Sequence, residues 1–164
     1  MTFSELLSLI FTGNNIAFAG AALAATLACM GSAKAVGLVG EASAGLVSED
    51  PSKFGKALLL QALPATQGIY GFITAFLIIF KMGVFSGSVS TLTIAQGTYF
   101  FVAALPIAVV GYVSAVKQGR VSAAGIALLA KRPKEVGKAM TSAAMVEAFA
   151  IFSLLVSLLM ILFS

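Results

Sequence analysis

The sequence predicts an all-α membrane protein: four transmembrane helices from two duplicated helical hairpins, assembling side by side into a ring. Three observations predict it. Of 164 residues, 60% are hydrophobic and only 10% charged, too little polar surface to solubilise a globule of this size. Uninterrupted apolar stretches run near residues 15–33, 57–80, 94–116 and 139–163, each close to the roughly 20 residues that cross a bilayer as helix. Finally, a shift of 82 positions lays Ser32-Ala33 on Ser114-Ala115, Gly37 on Gly119, Pro51 on Pro133 and Gly55-Lys56-Ala57 on Gly137-Lys138-Ala139. Such a fixed-period match means one supersecondary unit used twice.

Taken in order, residues 1–13 form an N-terminal segment. It has no basic n-region and carries Glu5, so it reads as part of the mature chain and not as a cleaved signal peptide. Residues 14–82 are the first hairpin. Its first helix, with no proline before Pro51, should continue to about Val47, well past its apolar stretch. A four-residue step along it reads Ala17, Ala21, Ala25, Cys29, Ala33, Gly37, Glu41 and Gly45, an edge that neighbouring helices can approach closely. The turn falls at Ser48-Glu49-Asp50-Pro51, with proline where a following helix tolerates it.

Residues 83–93 are the external loop, and residues 94–164 the second hairpin, turning at Lys131-Arg132-Pro133. Its first helix carries a similar strip through Ala104, Ala108, Gly111, Ala115, Gly119 and Ser122, whereas the second and fourth spans are rich in Leu, Ile and Phe. Small helices inside and bulky helices outside suggest a ring, although small residues would tighten an ordinary bundle as well.

Of the ten basic residues, all but Lys81 lie around the two turns. By the positive-inside rule both turns face the cytoplasm, which puts both termini and the 83–93 loop on the non-cytoplasmic side. The net charge of +4 is then a topology signal, and nucleic acid binding gains no support from it. With one cysteine and no histidine, an intrachain disulfide, an imidazole metal site and an imidazole base are all excluded. No cofactor is expected.

One residue breaks the apolar pattern where it costs most. Glu147 sits inside the fourth span, AAMVEAFAIFSLLV, with no basic residue near it in that helix. An ionised side chain at mid-helix costs roughly 2.5–3.5 kcal/mol even on the lenient insertion scale. It is therefore neutralised by a proton or a cation, or hydrogen-bonded to a neighbouring helix. Counting from the turns at 1.5 Å per residue, Glu147 lies about 21 Å from Pro133, Gln118 about 22 Å from the same proline, and Thr66 and Gln67 about 22–24 Å from Pro51. A carboxylate, two amides and a hydroxyl thus share one level. Hard cations need such oxygens to replace their water. Singly, the two glutamines would serve as interhelical glue worth about 1 kcal/mol each, but the common depth favours ligation.

Pro64 removes a backbone hydrogen bond and should free a carbonyl oxygen near this level, and Pro106 could bend the third span similarly. Tyr70, one turn from Thr66 and Gln67 and on their face, could hydrogen-bond the carboxylate and hold the site shut.

Together, LPATQGIYGF at 63–72, KQG at 117–119 and AAMVEAFAI at 143–151 resemble the proteolipid (c or K) subunit of V-type ATPases, in particular its sodium-translocating bacterial branch. The resemblance covers essentially all of residues 14–163. It implies that Na+ is bound by Glu147, Thr66, Gln67, Gln118 and the backbone carbonyl of Leu63, with Tyr70 hydrogen-bonding Glu147. It implies identical copies in a ring turning against a membrane stator subunit, central-stalk subunits as further partners, and a bacterial plasma membrane. Ala65 stands where the other repeat has Glu147, so each four-helix subunit would carry one ion. No phosphate-binding Gly-rich loop is present, so nucleotide chemistry would belong to partners. The chain would be part of an enzyme and not an enzyme alone.

Lys117 departs from the small residue this family leads one to expect, and Lys34 lies at similar depth. Both could line the inside of the ring near the cytoplasmic side. Two rival readings remain open on these residues. The same rotor could carry H+ on Glu147 alone, or the chain could be a membrane pore or structural oligomer in which Glu147 only staples an interface. A secondary transporter fits poorly, because the repeats are parallel.

Overall fold

A computed structural model describes residues 2–164, and Met1 of the 1–13 segment lies outside the described residues. Six α-helices follow one another: α1 (Phe3–Ile10), α2 (Gly13–Glu49), α3 (Phe54–Ala62), α4 (Thr66–Lys81), α5 (Ile94–Lys131) and α6 (Val136–Leu162). Among the described residues there is no strand. Four segments are long and apolar enough to cross a membrane: α2, the α3–α4 pair, α5, and α6 with its short lead-in. At 37 and 38 residues, α2 and α5 would be about 55 Å long, well beyond the roughly 30 Å apolar layer. Their less apolar ends, which carry the charged residues, lie toward the two turns.

α1 lies in the 1–13 segment, for which the apolar pattern predicts no separate helix. Its signal is local: the Thr2 hydroxyl accepts from the Glu5 N–H while the Glu5 carboxylate accepts from the Thr2 N–H, a reciprocal cap. Asn15 closes its other end by donating to the carbonyls of Leu9 and Ile10, and Thr12 caps the start of α2.

On the same side, the 83–93 loop is held by its own geometry. Gly83 and Gly87, at φ 75° and 73°, flank a one-turn 3₁₀ segment in a conformation that only glycine adopts freely. Asn14 clasps the loop with both ends of its amide, donating to the Ser90 carbonyl and accepting from the Leu92 N–H. Thr93 and Gln96 then form a second reciprocal cap that starts α5. Each hairpin turn on the opposite side opens into its returning helix through a one-turn 3₁₀ segment headed by proline, Pro51–Lys53 and Pro133–Glu135. In the first turn, Ser52 and then Lys53 hold the Asp50 carboxyl below its usual pKa.

The two hairpins pack side by side. α2 and α5 form a central pair, α3 and α4 lie on α2, and α6 lies on α5. The central pair is close because side chains are missing where the backbones meet. A Cβ at Gly97 would fall 2.0 Å from the Gly13 carbonyl oxygen, one at Gly31 2.7 Å from Tyr112 Cα, and one at Gly119 2.6 Å from Ala35 Cβ. Gly71 does the same for α4, where a Cβ would lie 2.4 Å from the Ala24 carbonyl oxygen. Without such gaps dispersion contacts between the helices would be lost.

The four-residue strip read along the first long helix divides in the structure. Ala17 and Ala21 are buried, whereas Cys29, Ala33, Gly37, Glu41 and Gly45 are exposed. Four residues advance a helix by more than one turn, so the strip drifts around α2 and leaves the contact with α5 halfway along.

Two apolar clusters form the core. One, on the loop side, includes Ala21, Ile78, Met82, Phe100, Ile107 and Ile161; the other, on the turn side, includes Val39, Leu60, Ile126, Leu129 and Ala139. Between them lies a polar belt.

Candidate ion-binding site

The belt owes its shape to Pro64. Lacking an N–H, this proline cannot continue the helical ladder, and a 3₁₀ turn over Leu63–Ala65 splits the second span into α3 and α4. Pro106, by contrast, lies within an unbroken α5. The split leaves the Leu63 carbonyl accepting from the Thr66 N–H and, at 3.0 Å, from the Thr66 hydroxyl. It also makes Thr66, Gln67 and Gly68 the first residues of a new helix, whose N–H groups need partners from outside. Ser32 of α2 supplies one: Gly68 N–H donates to its Oγ at 2.9 Å. A Cβ at Gly68 would lie 3.3 Å from Ser32 Cβ and Oγ.

The six residues singled out by sequence meet in this belt. Glu147 projects from α6, half-buried. Tyr70 of α4 donates its hydroxyl to Glu147 Oε1 at 2.7 Å, and the Gln118 amide of α5 donates to Glu147 Oε2 at 3.2 Å. The Gln67 amide of α4 in turn donates to Gln118 Oε1. Thr66 Oγ lies 3.4 Å from Gln67 Oε1 and bonds the Leu63 carbonyl, so the chain of contacts is continuous from Leu63 to Tyr70. Gln67 and Gln118 are fully buried. Burying two primary amides is costly unless they are hydrogen-bonded, and here each is bonded to the other and to a further side chain, Ser114 or Glu147.

Two further residues that brace the belt were not singled out by the sequence as site residues. Ser114 accepts from Gln67 Nε2 at 3.4 Å and donates to the Val146 carbonyl at 3.1 Å, so it fixes the Gln67 amide and the turn of α6 that carries Glu147. Ser32 performs the corresponding tie in the first hairpin. These two serines are each other's counterparts in the duplication, which was the available signal. The two lysines have different surroundings in the single chain. Lys34 donates to the Tyr112 hydroxyl at 2.8 Å and lies 5.2 Å from its ring centroid. Lys117 is exposed, in a groove with Val113, Val146 and Phe149.

What can such a belt hold? Among the described residues no three His, Cys, Asp or Glu side chains come together. The oxygens near Glu147 are neutral amide, hydroxyl and backbone carbonyl groups, the donor types that suit hard cations. One carboxylate balances one positive charge. In an apolar medium a charge-neutral site is far cheaper than a charged one, so the belt fits a proton or a monovalent hard cation and not a divalent one. An amide turned by 180° exchanges its donor and acceptor ends with little change in shape. The Gln67 and Gln118 oxygens can therefore face a cation without repacking the helices.

Fold and site together define a class: an integral membrane, ion-carrying proteolipid built from a doubled hairpin with one carboxylate per two hairpins. Comparison with known proteins agrees. The ATP synthase C-subunit family matches twice, over residues 19–78 and 101–160, once in each hairpin. The chain is 49% identical over 133 residues to the V-type sodium ATPase subunit K of Enterococcus hirae, covering 81% of each chain. It is 41% identical over 142 residues to the A-type ATP synthase subunit K of Methanocaldococcus jannaschii, covering 87% of this chain and 60% of that one. The chain belongs to the ATP synthase C-subunit family. Its members are ion-translocating parts of a larger ATPase and not catalysts alone.

Proposed function

We propose that the chain is the rotor-ring subunit of a V-type ATPase, in which identical copies carry Na+ across the membrane and turn against a stator subunit, driven through the central stalk by ATP hydrolysis. The observation that carries this reading is the convergence on Glu147 of Tyr70 and Gln118, with Gln67, Thr66 and the Leu63 carbonyl behind them. Glu147 supplies the charge that balances Na+. Gln67, Gln118 and Thr66 supply side-chain oxygens, and Leu63 a carbonyl, in place of the hydration shell. Tyr70 closes the carboxylate at Oε1, the oxygen that Gln118 leaves free.

An occupied site is neutral and can sweep past lipid; an emptied one cannot, so exchange is confined to a hydrated contact with the stator. With Ala65 in place of a second carboxylate, one ion moves per four helices. Fewer ions per turn leave more of the rotational work for each, at about 2.3 kcal/mol per charge per 100 mV. The basic turns are cytoplasmic and both termini lie on the other side of a bacterial plasma membrane, by the positive-inside rule.

A second reading keeps the rotor and changes the ion to H+. It asks for Glu147 alone: one carboxyl oxygen takes the proton while the other still accepts from Tyr70 or Gln118, and the amides serve as packing.

The deciding experiment follows the labelling of Glu147 by a hydrophobic carbodiimide, which attacks protonated carboxyls, across Na+ concentration at fixed pH. Protection by Na+ supports the sodium reading, and labelling that follows pH alone transfers the site to H+. If Glu147→Gln leaves ion transport by the assembled ATPase intact, a pore or purely structural role replaces both.

A further inference from the structure

The duplication makes one chain a partial record of how two chains meet. Inside the chain the first hairpin presents one edge of α2 to α5, and the second hairpin, built from the same repeat, presents the corresponding edge of α5 outwards. If the packing step that relates the hairpins is repeated, that outward edge meets the α2 of a second copy. Such a head-to-tail interface closes into a ring when the rotation divides the circle.

The repeat then names the contacts. Within the chain Ala35 fills the gap at Gly119, where a Cβ would lie 2.6 Å from Ala35 Cβ. A shift of 82 positions turns Ala35 into Lys117 and Gly119 into Gly37. The contact between Gly31 and Tyr112 likewise becomes one between Val113 and Met30. Both members of each new pair are open in the single chain. Nothing lies within 4 Å of a Cβ at Gly37, Lys117 is exposed, and Val113 and Met30 are 49% and 45% exposed.

Charge completes the match. Lys117 stands in a groove otherwise lined by four valines, Phe149 and Ser114, and among the described residues neither it nor Glu41 makes an ion pair. Glu41 lies one helical turn beyond Gly37 on the same exposed strip of α2, about 6 Å closer to the turns. A lysine laid over the bare backbone at Gly37 reaches that far with its four-carbon stem. Arg120, also exposed and nearer the turns than Lys117, adds positive charge to the same edge.

From this correspondence we infer that the Lys117 edge of α5 seats on the Gly37–Glu41 strip of α2 in a second copy of this chain, Lys117 crossing Gly37 to pair with Glu41. The pairing gives the lysine a counter-ion at the depth of the ion-binding belt, where an unpaired cation would be costly. It rests on the ring reading above, and the test separates the two.

The experiment uses the full-length protein assembled in membranes. In a Cys29→Ser background, Lys117→Cys combined with Gly37→Cys should give, on oxidation, a ladder of covalent oligomers on a denaturing gel, with neither single cysteine beyond dimer. Separately, the thermal dissociation midpoint of the ring is compared for Lys117→Ala, Glu41→Gln and the pair. Each single change should lower it by several degrees, and the pair should lower it by less than their sum. A wild-type protein that is monomeric in mild detergent sinks the ring reading and this one with it. A wild-type ring without the ladder overturns the contact alone, and a ladder with additive losses overturns the ion pair.

Discussion

The Tyr70 hydroxyl donates to Glu147 Oε1 across 2.7 Å, leaving Oε2 to accept from Gln118. The helices of Tyr70 and Glu147 belong to different hairpins, so the bond also ties the first half of the molecule to the second. A hydrogen bond to a charged group contributes about 1.5–3 kcal/mol. Tyr70→Phe should keep the packing, lose the bond and weaken apparent Na+ affinity by roughly tenfold or more, at 1.4 kcal/mol per factor of ten. The shift in half-protecting Na+ concentration during carbodiimide labelling measures it.

The two glutamines should separate from the carboxylate in their ion dependence. Replacing either Gln67 or Gln118 by Ala removes a buried oxygen donor and orphans its amide neighbour, at about 1–3 kcal/mol. Na+ protection should weaken by roughly five- to a hundredfold, while labelling without Na+ continues because Glu147 is still there. An unchanged Na+ titration in both variants would reduce the amides to interhelical glue.

Ser32 touches no proposed ligand directly, yet it should matter to the ion. Its hydroxyl accepts from Gly68 N–H and so anchors the first turn of α4, which bears Thr66 and Gln67. Ser32→Ala should leave an N–H of that turn without its partner and cost about 1 kcal/mol, read as a several-fold loss of Na+ protection. Ser32→Thr, which keeps a hydroxyl, should recover most of it if the added methyl is accommodated. Loss of ring stability with an unaltered Na+ titration would make Ser32 a packing residue only.

Gly71 tests the fold independently of the ion. Because a Cβ there would sit 2.4 Å from the Ala24 carbonyl oxygen, Gly71→Ala must push α4 away from α2. Overpacking of this kind costs typically about 1–3 kcal/mol. The expected result is a lower thermal dissociation midpoint in detergent, whereas Gly55→Ala, at a position with open space around it, should have none of that effect.

Much of the fold was legible because the lipid environment reduces the choices. Spans must be apolar and about 20 residues long, and their backbone polar groups must be satisfied within the helix. That identifies four spans from composition and length alone, and a proline in each turn marks where the helices reverse. α1 was not legible because an eight-residue helix leaves too little periodicity to read. The drift of the small-residue strip was hidden because four residues overshoot a helical turn, and only a neighbouring helix reveals where the strip stops being covered.

By itself the sequence determined the spans, the duplication, the single carboxylate and the common depth of Glu147, Gln118, Gln67 and Thr66. Each depends on spacing along a helix, and a helix converts residue number into height at a fixed rate. Height says nothing about azimuth. Which side of Glu147 is closed by Tyr70, which amide donates to which, and how Ser32 and Ser114 brace the belt were decided by the rotation of each helix about its axis. That rotation is set by close backbone contacts such as Gly31 with Tyr112 and Gly119 with Ala35, formed between residues about 80 positions apart.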